Sequence, residues 1–286
     1  MLIVVGFVIV ILSVFGGFAM AGGHLGPLFQ PTEVVMICGA ALGAFIASNN
    51  GKAIKAVTTA FKRLRPANGY NKALYMDLMT VLFKLLTKIR REGMLGVEKD
   101  IDDPEQSAIF SQYPVLMRDP LIMGFICDYL RLMVGGSMEA MELDELMLHE
   151  IEVFEHECQV PAEALTKVGD GMPAFGIVAA VMGVVKALST ADAGPEEMGQ
   201  MIAHALVGTF LGILIGYGFI NPLASRMDRQ TQEVVKVLQC IRVTLLASLH
   251  GYPPQIAVEF GRKALFSAER PTFSELEDHV REAKAG

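Results

Sequence analysis

Apolar positions along the chain fall into four long runs set between strongly polar stretches. Met1–Ala21, Val34–Gly51 and Ala205–Ser225 contain no charged residue, and Gly171–Ala191 contains only Lys186, near its end. A helix needs roughly 20 predominantly apolar residues to cross a bilayer, so each run predicts a membrane span, with Lys186 close enough to the boundary to snorkel. Elsewhere the apolar residues recur at helical spacing. Leu74, Leu78, Val81, Leu82, Leu85 and Ile89 form one stripe, and Leu121, Ile122, Phe125, Ile126, Tyr129 and Leu132 a second. Met138, Met141, Leu146, Ile151 and Phe154 predict a third packing face, opposite a strongly acidic one. Val234, Val235, Leu238, Ile241, Leu245 and Leu249 extend the fourth run as a helix until Gly251-Tyr252-Pro253-Pro254 stops it. Asp103-Pro104 and Asp119-Pro120 read as helix starts, an acidic cap followed by proline at the first helical position. Gly93, Gly96 and Gly135-Gly136 read as breaks. No stretch alternates as a strand would. The pattern predicts an all-α integral membrane protein with four transmembrane helices, a large helical domain between spans 2 and 3, and a helical tail. The expected parts are a membrane hairpin at 1–51, a helical domain at 52–168, a second hairpin at 169–225 and an extension and tail at 226–286.

Charge gives the layout a side. After the second run come Lys52, Lys55, Lys62, Arg63 and Arg65 with no acid among them, and Arg226 and Arg229 follow the fourth. The short connections instead carry Glu33, Asp192, Glu196 and Glu197. Positive charge stays on the cytoplasmic side, so the helical domain and both termini are expected there, in a multi-pass inner-membrane protein. Ala19-Met20-Ala21 has the small-x-small form of a signal-peptidase site, but no basic residue precedes it, which argues against a cleaved leader. Composition agrees: hydrophobic residues make up 52% of the 286. The net charge of −7 argues against a nucleic-acid partner. Cys38, Cys127, Cys158 and Cys240 form no CxxC pair, so neither a disulfide framework nor a zinc site is indicated.

Catalytic patterns are missing. No glycine-rich loop ends in Gly-Lys-Ser/Thr, and in "HEIEVFEHE" the histidines His149 and His156 are seven apart where a zinc helix of the HExxH type needs four. An enzyme is not expected, nor any cofactor. None of the four runs holds an Asp or Glu, so an ion-conducting role would take its acid from a partner helix. Small residues offer such a helix a place: Gly39 and Gly43, Gly212 and Gly216, and Gly176, Ala179, Ala180 and Gly183. The same residues equally suit packing of the four helices on one another. Thr209 can bond its own backbone or offer oxygen to an ion, and Tyr217 is another hydroxyl of the fourth run. Pro173 and Pro222 sit at the expected cytoplasmic ends of runs three and four, as a helix start and a simple kink or as a pair of hinges.

The layout, "GDGMPAFGIVAAVMGVV" from Gly169, "GYGFINPLASR" around Pro222 and "GYPPQIAVEFGRKALF" from Gly251 together resemble the MotA/PomA family of flagellar motor stator subunits, over essentially the whole chain. The resemblance implies a homo-oligomeric ring around the transmembrane helices of a MotB-type partner whose aspartate takes up the ion. By the same carry-over Pro173 and Pro222 transmit the partner's protonation change, Thr209, Ala180 and Tyr217 face the ion path, and Arg90 and Glu98, with Glu150 a weaker candidate, work against the rotor protein FliG. Sodium prefers oxygen ligands to a methyl, so Ala180 favours protons, with sodium the alternative. ExbB/TolQ-like energisers share the general plan but typically have three spans.

Overall fold

The computed structural model describes residues 2–63, 69–136, 138–189 and 194–285, so Arg65 and Asp192 lie outside the described residues. Helices of spanning length and apolarity are found at Leu2–Met20, Gly26–Ser48, Ala140–Ser189 and Pro195–Leu249. In chain order the elements are α1 (Leu2–Met20), α2 (Pro31–Ser48), α3 (Gly51–Arg63), α4 (Lys72–Glu92), the short α5 (Glu98–Asp102) and α6 (Pro114–Met117). They continue with α7 (Pro120–Gly135), α8 (Ala140–Ser189), α9 (Pro195–Leu249), α10 (Pro254–Ala264) and α11 (Phe273–Ala285). The chain divides into a first unit, Met1–Ala67 with Cys158–Gln230, and a second, Asn68–Glu157 with Thr231–Gly286. The two long helices α8 and α9 each contribute to both.

In the first unit α1 docks on α9 through rings, Phe7 on Phe219 and Phe15 on Phe210, with centroids 5.0 and 6.1 Å apart. A π-helical turn, Gly216–Ile220, interrupts α9 immediately before Asn221-Pro222. Proline has no N–H to give to the preceding turn, and a wider turn there absorbs the missing bond without ending the helix. Pro173 likewise lies inside α8, in an unbroken helix that also contains Pro161, so it does not start a helix.

The second unit has the larger core. The stripe of α4 is buried as its spacing predicts, with Leu78 and Leu82 fully covered and Leu85 at 1% exposure, against Ile122, Ile126 and Tyr129 of α7 and Leu238, Ile241 and Leu245 of α9. Asn71 caps α4 by accepting from the Leu74 N–H, and Asp119 caps α7 by accepting from Leu121 and Ile122. Gly93 at φ 82° and Gly136 at φ 60° end those two helices in conformations that favour glycine. Within this unit α8 and α9 run side by side and antiparallel, joined by the Asp144–Arg242 ion pair and by Gln232 donating to Glu155 at 2.8 Å.

Two expectations are corrected. Leu143, Met147 and Ile151 form the packing face of α8, while Met138, Met141 and Leu146 are exposed. Apolar residues stand on both sides of this segment, and the neighbours it meets in the core decide which are covered. Asp103-Pro104 starts no helix: α5 ends at Asp102, and Asp103 closes a turn, its carboxylate accepting from the Gln106 side chain at 2.5 Å.

Candidate functional site

In the first unit α8 and α9 cross through glycines. A Cβ on Gly176 would lie 2.7 Å from the Gly208 carbonyl oxygen and 3.2 Å from the Thr209 Cα, and one on Gly212 would lie 2.6 Å from the Met172 carbonyl oxygen. One on Gly183 would meet Ala205, and one on Gly216 the Gly169 carbonyl oxygen. Without side chains between them the two backbones touch, the arrangement that dispersion favours where the surrounding lipid is as apolar as leucine. A Cβ on Gly39 or Gly43 of α2 would meet nothing within 4 Å among the described residues.

A carboxylate reaches this crossing. Glu33 stands in the first turn of α2, two residues after Pro31, and is only 7% exposed. Its Oε2 is buried without a hydrogen-bond partner among the described residues, and a Cβ on Gly208 would lie 2.6 Å from it and 3.3 Å from the Ala179 Cβ. Glycine at 208 therefore makes the room in which the carboxylate lies. The sequence pattern places Glu33 in an outward connection, because the uncharged run starts one residue later. The readable signal is Pro31-Thr32-Glu33 itself, a proline at N1 and an acid in the first turn, which extends the helix upstream to include the acid.

The residues expected along an ion path are distributed as follows. Thr209 is half-buried at the level of Gly176 and Gly208, and Ala180, 9% exposed, adjoins Ala179. Thr209, Ala179 and Glu33 thus share one level of the crossing. Tyr217 lies in the π turn and is 56% exposed, away from that cluster. Pro173 is half-buried and Pro222 exposed. Between the two prolines is a link that the sequence pattern does not show: Asn221 donates to the Asp170 carboxylate at 2.8 Å, and a Cβ on Gly169 would collide with the Asn221 side-chain oxygen. The other side of α8 is bare, with Ile177, Val181, Val185 and Leu188 each more than half exposed.

The three charges expected to meet a partner all lie in the second unit. Arg90, exposed at the end of α4, borders a cavity of about 150 Å³ with Phe83, Thr87, Arg91, Pro254 and Gln255. Glu98 is exposed at the first position of α5. Its segment is pinned by Asp100, which accepts from Lys88 at 2.7 Å and from the Ser107 hydroxyl at 2.6 Å. Glu150 has an internal use: it accepts from the buried Tyr129 phenol at 2.5 Å, and burial followed by that bond pushes the phenol above its ordinary range. Among the described residues no group of three His, Cys, Asp or Glu side chains is placed to hold a metal.

Comparison with known proteins gives concordant results. The family model "Motility protein A N-terminal" matches residues 4–93, and "MotA/TolQ/ExbB proton channel family" matches residues 123–240. Motility protein A of Salmonella typhimurium is 54% identical over 98% of this chain and 95% of its own length. Motility protein A of Escherichia coli K12 is 54% identical over 99% and 96%. The solved MotAB structure of C. jejuni shares the fold, with a TM-score of 0.78 at 20% identity, covering 94% of this chain and 98% of that one.

Proposed function

This chain belongs to the motility protein A family, and we propose that it works as the ion-conducting stator subunit of a bacterial flagellar motor. Copies of it form a ring around a MotB-type partner, and proton flow along the ring's inner helices drives torque on the rotor. The observation that carries this reading is the two-faced α8: one side is fused to α9 through glycines, and the other, Ile177 to Leu188, is apolar and bare. An apolar face that carries no carboxylate suits a membrane helix from another chain that brings its own acid.

Glu33 supplies this chain's share of the path. A buried carboxylate oxygen with no partner is costly unless an ion or proton compensates it. Its level, shared with Thr209, makes it a relay between the partner's acid and the outer side. Neutralising the partner's acid changes how tightly its helix packs, and the stretches of α8 and α9 that hold Pro173 and Pro222, tied by Asp170 and Asn221, transmit the change along the two helices, which continue into the second unit. There Arg90 and Glu98, both exposed, meet the rotor protein FliG, while Glu150 serves the internal bond to Tyr129. Exposed ion pairs are worth about 0 to 1 kcal/mol, which suits a contact that is released at every step. The methyl of Ala180 argues for protons over sodium, and the basic flank of α2 argues for both termini in the cytoplasm. An ExbB/TolQ-like energiser is the less favoured reading, since the fourth spanning helix and the match to motility protein A run against it.

The test is co-expression with a MotB-type partner in a motile host lacking its own stator, with proton and sodium gradients collapsed separately. Swimming that survives sodium removal and stops with the proton gradient supports the reading. Sodium dependence overturns the ion assignment, and immobility with a well-assembled complex overturns the stator role. In the same host Gly208→Ala, which pushes on the Glu33 carboxylate, is expected to slow swimming while the complex still assembles.

A further inference from the structure

No acidic residue occurs between Glu33 and Asp77, and the helix α3 lies in the middle of that interval. It begins after a link of two residues, Asn49 and Asn50, from the end of the spanning helix α2. Such a link reaches about 11 Å at most, so the start of α3 stays within the headgroup layer at the membrane boundary. The Asn50 side chain fixes that start by accepting from the Ala53 N–H at 2.8 Å.

The helix has three edges. Ala53 and Val57 are buried, and Ala60 packs on the cluster of Ala162, Leu165, Ala224 and Met227, which fastens α3 to the ends of α8 and α9 within the first unit. Lys52 and Lys55 are exposed, and among the described residues no carboxylate pairs with either. Thr58 and Thr59 beside them satisfy their hydroxyls on the Lys55 carbonyl oxygen at 2.8 and 2.9 Å, so they do not compete for a ligand's oxygens. Phe61 is 42% exposed on the apolar edge that also holds Ile54, seven residues away. The lysine edge and the uncovered aromatic edge lie on different sides of the helix, Phe61 about 120° around the axis from Lys55 and about 180° from Lys52, which on a helix held at the bilayer boundary is the amphipathic arrangement of one that lies in the interface.

We propose that α3 binds anionic phospholipid headgroups, Lys52 and Lys55 holding the phosphate while Phe61 sits among the first acyl-chain carbons. The place argues for lipid over a second copy of this chain, because α3 starts two residues after a spanning helix, at the level of the headgroups, and the interval 34–76 carries no acid of its own to neutralise the lysines. Each lysine near an anionic surface is worth roughly a fivefold preference, so two give a selectivity well above that of a neutral boundary site. This inference is independent of the motor reading and needs only that α2 spans the membrane.

The chain contains no tryptophan, so Phe61→Trp installs a reporter of its own. The full chain, purified with its partner, is reconstituted in phosphatidylcholine vesicles doped with either brominated phosphatidylglycerol or brominated phosphatidylcholine. The difference between the variant and the unmodified protein isolates the signal of the introduced indole from that of any partner tryptophan. Brominated phosphatidylglycerol is expected to quench at a concentration at least about fivefold lower than brominated phosphatidylcholine. Adding Lys52→Gln and Lys55→Gln should lower the ratio severalfold, Lys52→Arg with Lys55→Arg should keep it, and a salt concentration of about 1 M should collapse it. Equal quenching by both lipids overturns the proposal in favour of a purely apolar contact. Quenching by neither overturns it in favour of a protein neighbour over Phe61.

Discussion

The first unit is held together by residues that are nearly absent and the second by residues that are large. At the α8–α9 crossing Gly176, Gly208 and Gly212 bring backbone against backbone, whereas around α4 the contacts are Leu78, Leu82, Tyr129 and Phe125 interlocked with α9. Water explains the contrast. In the second unit every buried leucine gains the full transfer free energy, about 1.5 to 3 kcal/mol, so bulk is favoured. Between membrane helices that gain is missing and only close approach distinguishes a partner helix from lipid. The two regions should therefore fail in opposite ways, the second when side chains shrink and the first when they grow.

The largest effect is expected from shrinking. Leu82→Ala removes a fully buried side chain from the second unit, a change that typically costs about 2 to 5 kcal/mol through lost transfer and a residual cavity. Hydrogen exchange should show protection lost throughout α4, α7 and α10, with the spanning parts of α8 and α9 unchanged. Loss confined to the membrane segments would break the comparison.

Growing a side chain at the crossing comes next. Gly176→Ala puts a methyl 2.7 Å from a carbonyl oxygen and close to two backbone Cα atoms, none of which can swing aside. Overpacking of this kind costs about 1 to 3 kcal/mol, so the detergent-solubilised complex should melt earlier and swimming should weaken. Gly43→Ala is the control. It has open space among the described residues, so the subunit itself should be untouched, and any loss of assembly would assign Gly43 to a contact with another chain.

Much of this is legible in the residues, for reasons that also explain the failures. The stripe from Leu74 to Ile89 predicts the burial of its own members but not that of Met79, Thr80, Phe83 and Leu86, which are covered as well because the second unit packs on α4 from more than one side. Met138, Met141 and Leu146 mislead because α8 is apolar on two sides there, and the choice of Leu143, Met147 and Ile151 is made by the core they enter. Spans are legible from length and charge, but the link between their ends is not. Asp170 and Asn221 are 51 residues apart, and only the crossing brings them together. Glu33 escapes for a simpler reason: a charge at a run's edge ends the run in a hydropathy reading, although a helix continues through it when proline and an acid fill its first turn.

The smallest effect tests how the last helix is held, since α11 joins the second unit by polar contacts at its start as well as by Leu276 and Val280. Thr272 and Glu275 form a reciprocal cap, the Glu275 carboxylate accepting from the Thr272 N–H at 2.7 Å and the Thr272 hydroxyl accepting from the Glu275 N–H at 3.3 Å. The same carboxylate accepts from Lys72 of α4 at 2.7 Å. The bond from Lys72, followed by those from Thr272, holds the Glu275 carboxyl down at about 2, against 4.5 for an unperturbed glutamate. A lowered folded-state pKa means that the stabilisation is fully present above 4.5 and is lost as the pH falls from there towards 2. Amides of α11 should therefore lose exchange protection across that window before those of α4 do, and Glu275→Gln should remove much of the pH dependence. Because both partners are exposed, salt should weaken the effect at neutral pH, whereas the apolar contacts of Leu276 and Val280 should persist. If α11 were released only together with α4, its hold on the unit would lie in those two side chains and not in its cap.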